Sequence, residues 1–112
     1  MEIEVRSEGP VAVAAVSGDI DGKTAPAAQA QLLPVVEQSP QVVLEMSGVR
    51  FLSSAGLRMM LLVYRHATAR EGKVVLVGLS EEIQDTMDMT GFLGFFTLAD
   101  TLEEGLAHIE GA

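Results

Sequence analysis

Three short runs, Val11–Val16, Val42–Leu44 and Val74–Val77, are apolar at every position and rich in valine. A strand with one face in water alternates apolar and polar residues, so a run without alternation has to be covered on both faces. These runs call for a sheet with helices packed against it, and the segments between them have helical spacing. Residues 24–33 place Ala25, Ala27, Ala30 and Leu33 behind Thr24, which can cap the helix. Pro34 should kink or end that helix, because an interior proline costs ~3 kcal/mol. Residues 54–70 repeat Leu57, Leu61, Tyr64 and Met60, Val63, Ala67 before Gly72 stops them. Residues 80–89 open with Glu81 and Glu82 and end before Gly91. A last helix starts at an Asp100–Glu103 capping box and carries a seam of Leu102, Leu106 and Ile109.

Ile3 and Val5 alternate with charged residues as in a half-exposed strand, and Ser7–Pro10 supplies a turn into the first buried run. Phe95–Leu98 gives a last, shorter strand. The order is strand, strand, helix, strand, helix, strand, helix, strand, helix, and helical crossovers favour parallel, right-handed connections. The expected fold is a small α/β domain over residues 1–112, a mixed, mostly parallel sheet of four or five strands with about four helices. At 112 residues, 48% hydrophobic, the chain fits one domain that needs neither metal nor disulfide to fold, and it has no cysteine to form one.

Charge narrows the partners. Seven Lys and Arg against sixteen Asp and Glu give a net charge of −9, which repels phosphate backbones and anionic headgroups, so neither nucleic acid nor a membrane is expected as a partner. The acidic N-terminus does not resemble an export signal, and no apolar run approaches the roughly 20 residues that span a bilayer. A cytoplasmic protein is expected. Residues 81–112 hold eight acids and no Lys or Arg, either a solvated face or a surface for a basic partner.

Catalytic signatures are missing. His66 and His108 are on expected helices without metal-ligand spacing, and there is no G-x-S-x-G, P-loop or strand-linked G-x-G-x-x-G. Gly91-x-x-Gly94 reads as a helix end and turn. No cofactor and no metal is expected. The segment that stands out is Leu44-Glu45-Met46-Ser47-Gly48-Val49-Arg50-Phe51-Leu52-Ser53-Ser54-Ala55-Gly56-Leu57: a buried strand, a turn, an apolar pair, then two serines at a helix start. One serine is accounted for as an N-cap worth ~1 kcal/mol. Two exceed what one cap needs, and a phosphate added to a hydroxyl there would meet free N–H groups and the positive end of the helix dipole. The run Met59–Tyr64 covers more than one helix face. It fits a fully buried helix, or a Met-rich docking surface flanked by Arg58 and Arg65.

The stretch Glu45-Met46-Ser47-Gly48-Val49-x-Phe51-Leu52-x-Ser54-x-Gly56-Leu57 resembles the signature of the STAS domain in its stand-alone form, the bacterial anti-sigma-factor antagonist. Gly18-Asp19-Ile20-Asp21-x-x-Thr24-Ala25 is similar to the family's G-E-L-D loop with its following T-A, and Thr86–Phe92 to its F-x-x-S-G-L segment. The resemblance implies a phosphorylation-switched binding protein. Unphosphorylated, it would sequester an anti-sigma factor that is often a serine kinase with an ATP-binding fold, and so free a sigma factor; the kinase would phosphorylate it and a serine phosphatase restore it. The acceptor in the family pattern D-S-S/T-G-L falls on Ser54, with Ser53 as runner-up. Partner contacts around the acceptor fall to Asp21, Thr24, Ser53, Gly56, Arg58 and Met59. Asp21 is equally a turn residue before Thr24. Ser53 stands where the pattern has aspartate, and Ala55 follows the acceptor. The family also contains STAS subunits that are never phosphorylated and act as fixed adaptors in larger assemblies, such as lipid-transport complexes. Phosphoryl transfer needs Mg²⁺, a phosphate cradle and a positioning base, which this chain does not visibly carry, so Ser54 would be a substrate residue and the chain not an enzyme.

Overall fold

In a computed structural model, which describes residues 1–110, the sheet has the order β1-β2-β3-β4-β5 with β1 at Glu2–Glu8, β2 at Val11–Ile20, β3 at Gln41–Leu52, β4 at Lys73–Val77 and β5 at Thr97–Ala99. β1 runs antiparallel to β2 and the other neighbours are parallel, giving the expected mixed, mostly parallel α/β sheet. The four helices are α1 (Ala25–Gln38), α2 (Ser54–Ala69), α3 (Glu81–Met89) and α4 (Leu102–Glu110).

Alternation along the strands explains the uniformly apolar runs. Ala12 and Ala14 of β2, Val42 and Leu44 of β3, and Val74 and Leu76 of β4 face one side, where Leu32, Val36, Met60, Val63, Ile83 and Met87 of the first three helices cover them. Val11, Val13, Val43, Val75 and Val77 face the other, where α4 lays Leu102, Leu106 and Ile109. Each valine run is thus sealed from both sides.

Several boundaries differ from expectation. β2 continues past Val16 to Ile20, and β3 continues through Ser47-Gly48, where a turn was expected, to Leu52. Register shifts between Ala15 and Ser17 and between Gly18 and Asp19 keep the two strands paired. Gly48 allows their close approach, since a Cβ there would lie 2.8 Å from the Ser17 Cβ. Pro34 does not end α1, which runs on to Gln38. Val36, fully buried beyond the proline, gains from packing what the lost hydrogen bond costs. The left-handed residue after α2 is Glu71, with φ 59°, and not Gly72, which instead lies directly against the Pro40 backbone. Phe95 belongs to a 3-10 turn, so the last strand starts at Thr97.

The capping box of α4 is shifted by one residue. Thr101 Oγ1 accepts the Glu104 N–H at 3.2 Å, and Glu104 Oε2 accepts the Asp100 N–H at 3.3 Å, so Asp100 and Glu103 are not the pair. The seam packs on the sheet, although Leu106 is half-buried. Leu106→Ala is therefore expected to cost about 1–2 kcal/mol, below the 2–5 kcal/mol of a fully buried leucine. Thermal unfolding measures it; an unchanged melting temperature would show α4 to be peripheral.

Candidate functional site

The adjoining ends of β2 and β3 carry the loop into α1 and the start of α2. Ile20 pairs with Leu52, and the Ile20 carbonyl accepts the Ser53 N–H at 2.9 Å, tying the two segments together. Asp21 follows immediately. Its Oδ1 accepts the backbone N–H groups of Lys23 at 2.9 Å and Thr24 at 3.1 Å, while Thr24 Oγ1 accepts the Asp21 N–H at 2.9 Å. This reciprocal pair is a capping box with Asp21 as the cap. The donated Lys23 and Thr24 N–H groups hold the Asp21 carboxyl below its ordinary pKa. Thr24 makes no side-chain cap of its own; its hydroxyl donates to the Asp19 carbonyl at 2.8 Å. α1 thus begins at Ala25 behind Thr24 as expected, but the side-chain capping comes from Asp21, three residues earlier.

The two serines divide. Ser53 is half-buried and extended, and its Oγ accepts the Gly56 N–H at 3.3 Å, which makes it the cap of α2. Ser54 is the first helical residue, exposed, and its hydroxyl makes no side-chain hydrogen bond to any described residue. Gly56 is buried; a Cβ on it would come within 2.8 Å of the Ile20 carbonyl oxygen. Met59 is also buried, at 3% exposure, whereas Arg58 is exposed. Of the six residues expected around the acceptor, Asp21, Thr24 and Ser53 build the two helix starts, Gly56 sets how closely α2 approaches β2, Met59 packs in the core, and Arg58 reaches solvent.

Beside these starts, α1 and α2 leave an open groove of about 730 Å³, with Pro26 and Gln29 on one wall, Arg58, Leu62 and Arg65 on the other and Met59 among the lining residues. Leu61 and Leu62 of the Met59–Tyr64 run are half-buried there, while Met60 and Val63 belong to the core. The docking surface flanked by Arg58 and Arg65 is one of two readings of the sequence, but the wall that α1 adds opposite it is not legible there, because it depends on how α1 and α2 meet. A signal was nevertheless present: Ser54, Arg58, Leu61 and Arg65 recur at i, i+4, i+7 and i+11, which is one helix face.

No cluster of three or more potential metal ligands occurs among the described residues. His66 Nδ1 lies 4.0 Å from Glu37 Oε1, a partly exposed surface pair. No helix of the described residues is long and apolar enough to cross a membrane.

A five-stranded mixed sheet with α1 and α2 meeting beside a twin-serine helix start defines an STAS-type domain. The STAS domain family model matches residues 2–105, and the chain belongs to the STAS-domain family of anti-sigma-factor antagonists. Among its relatives, BtrV of Bordetella bronchiseptica, named a candidate anti-sigma factor antagonist, is 30% identical over 101 residues, 89% of this chain and 87% of that protein. An anti-sigma factor antagonist from Mycobacterium paratuberculosis has a solved structure that superposes with a TM-score of 0.87 at 30% identity, covering 97% of this chain and 93% of that one. The Bacillus cell-fate determinant SpoIIAA in its phosphorylated form shares the fold, with a TM-score of 0.74 at 17% identity over 96% of this chain and 99% of that one.

Proposed function

We propose that this chain is a phosphorylation-switched antagonist: with Ser54 unmodified it binds and sequesters an anti-sigma factor that is also a serine kinase, so freeing a sigma factor, and phosphorylation of Ser54 by that kinase releases it. A serine phosphatase resets the switch, and the exchange takes place in the cytoplasm. The observation that carries the reading is the division between the serines. Ser53 takes the structural cap, which leaves Ser54 exposed at the start of α2, next to Ala55 and one turn before Arg58 of the α1–α2 groove, accessible to a kinase and to a docked partner at once. That SpoIIAA exists in a phosphorylated form lends support at the level of the fold.

The chain acts here as substrate and ligand, and the Mg²⁺, nucleotide and base belong to the partner. The test is site assignment by mass spectrometry on protein taken from cells in several growth states, together with affinity capture with and without ATP. Phosphate on Ser54 and ATP-dependent loss of the partner are expected. Modification confined to Ser53 would overturn the assignment, and a chain unmodified in every state with an ATP-insensitive partner would make it a fixed adaptor.

A further inference from the structure

We infer that the α1–α2 groove is the docking site for a partner segment that is apolar at its centre and bears a carboxylate at each end, gripped by Arg58 and Arg65. The inference rests on the switch reading for the identity of the site, and adds to it the chemistry of what docks there.

Charge distribution is the first ground. The chain carries sixteen Asp and Glu, yet none occurs between Asp21 and Glu37 or between Glu45 and Glu71, the stretches that form nearly all of α1 and the whole of α2. On a strongly acidic molecule, α2 and the chain between Asp21 and the Glu37–His66 pair thus bear no acid, and Lys23, Arg58 and Arg65 are exposed there. Four other cations are engaged internally: Arg6 with Glu8 at 3.2 Å, Arg50 with Asp19 at 4.0 Å, Arg70 on the His66 carbonyl and Lys73 on the His108 carbonyl, each at 3.4 Å. Arg58 and Arg65 make no ion pair and no side-chain hydrogen bond among the described residues, although both line the groove. Such a face repels an acidic partner less than any other on the molecule, and its unpaired arginines attract a carboxylate.

Geometry supplies the second ground. Arg58 and Arg65 are seven residues apart, about 10 Å along α2 at 1.5 Å per residue and on the same face. Leu61 and Leu62 lie between them, and Pro26 and Gln29 oppose them. A docked segment would therefore set its own carboxylates about 10 Å apart, two helical turns or three extended residues, around apolar side chains. Nucleic acid offers phosphates but no aliphatic side chains for the leucines.

The same stripe connects docking to the switch. Ser54 is one helical turn before Arg58, and an anion at i attracts a cation at i+4. Phosphate on Ser54 would draw Arg58 toward itself, so the groove loses a cation as it acquires an anion.

The experiment is to pan a displayed random dodecapeptide library on the full chain and to titrate a synthesised selected peptide by fluorescence anisotropy. Selected peptides are expected to carry two acidic residues about seven positions apart, or three if extended, around Leu, Ile, Phe or Met. Arg58→Gln and Arg65→Gln should each weaken the peptide at least about fivefold, the double variant and Ser54→Glu at least about tenfold, and Arg70→Gln not at all, with circular dichroism confirming that each variant is folded. Uncharged or basic selected peptides, binding that survives the double variant, a library that yields no arginine-dependent binder, or equal binding of a single-stranded dodecanucleotide would each overturn the inference. ATP-driven release of the captured kinase that persists in the double variant would sink the groove and leave the switch standing. Arginine-dependent peptide binding by a chain never phosphorylated in cells would do the reverse.

Discussion

Ser54→Asp is expected to weaken binding to the proposed kinase partner by about thirtyfold or more, while Ser54→Ala binds as the unsubstituted protein does and resists ATP-driven release. The alanine variant loses almost nothing within the chain, because the cap hydrogen bond of α2 belongs to Ser53 and the Ser54 hydroxyl is exposed. The aspartate variant adds an anion to a contact arranged around a neutral side chain, near Asp19 and Asp21 at the ends of the paired strands. The helix dipole returns only ~0.3–1 kcal/mol within the chain, whereas opposing or desolvating a charge at an interface costs several. Repulsion wins, and ~2 kcal/mol corresponds to the thirtyfold change. Calorimetric titration against the captured partner reads both variants directly. Equal affinities would place Ser54 outside the interface.

Gly56→Ala should destabilise the fold by about 1–3 kcal/mol, even though alanine is the better helix former by ~1 kcal/mol. The added methyl would lie 2.6 Å from Leu52 Cδ1 and 2.8 Å from the Ile20 oxygen. The leucine tip can move. The Ile20 carbonyl cannot, because it holds the Ser53 N–H at 2.9 Å and with it the junction of β2 and α2. For a domain of this size the melting temperature should fall by roughly 5–15 °C. Gly22→Ala is the control, since no heavy atom lies within 4 Å of a Cβ at that position. A Gly56→Ala variant that melts at or above the parent would mean that α2 does not pack on β2 this tightly.

The parts of the fold legible from sequence were those where one local rule acted alone. Val42–Leu44 and Val74–Val77 are sealed on both faces, so composition was sufficient. The far half of β3 was read as a turn because Ser47, Gly48 and Arg50 are polar and exposed there. β4 pairs only with Gln41–Glu45, so beyond that point β3 has a single neighbour, β2, and its solvent-facing positions carry no apolar demand. Helix starts were located to within a turn but not to the residue. Asp21 and Thr24, and likewise Asp100 and Thr101, are all competent caps, and the choice depends on where the preceding strand delivers the chain. Of the two effects expected of Pro34, a kink or a stop, the stop does not occur, because the burial of Val36 beyond it offsets the local cost. At the site, the twin serines were visible as a pair, but their assignment to cap and free hydroxyl required the backbone: an extended Ser53 facing the Gly56 N–H.

Because the cap and the exposed hydroxyl are separate residues, the folded state hardly registers what is attached to Ser54. A phosphate there would gain from the helix dipole and from Arg58, ~0.3–1 kcal/mol each, and lose by repulsion from Asp19 and Asp21, so the net change in folding free energy should be small. Proteolytic turnover follows the unfolded fraction, so both forms of the protein should have nearly the same lifetime in a cell. The ratio of the two pools would then report the balance of kinase and phosphatase alone, undistorted by selective degradation. Had the cap serine been the acceptor, each signalling event would also have changed how much protein there was to signal with.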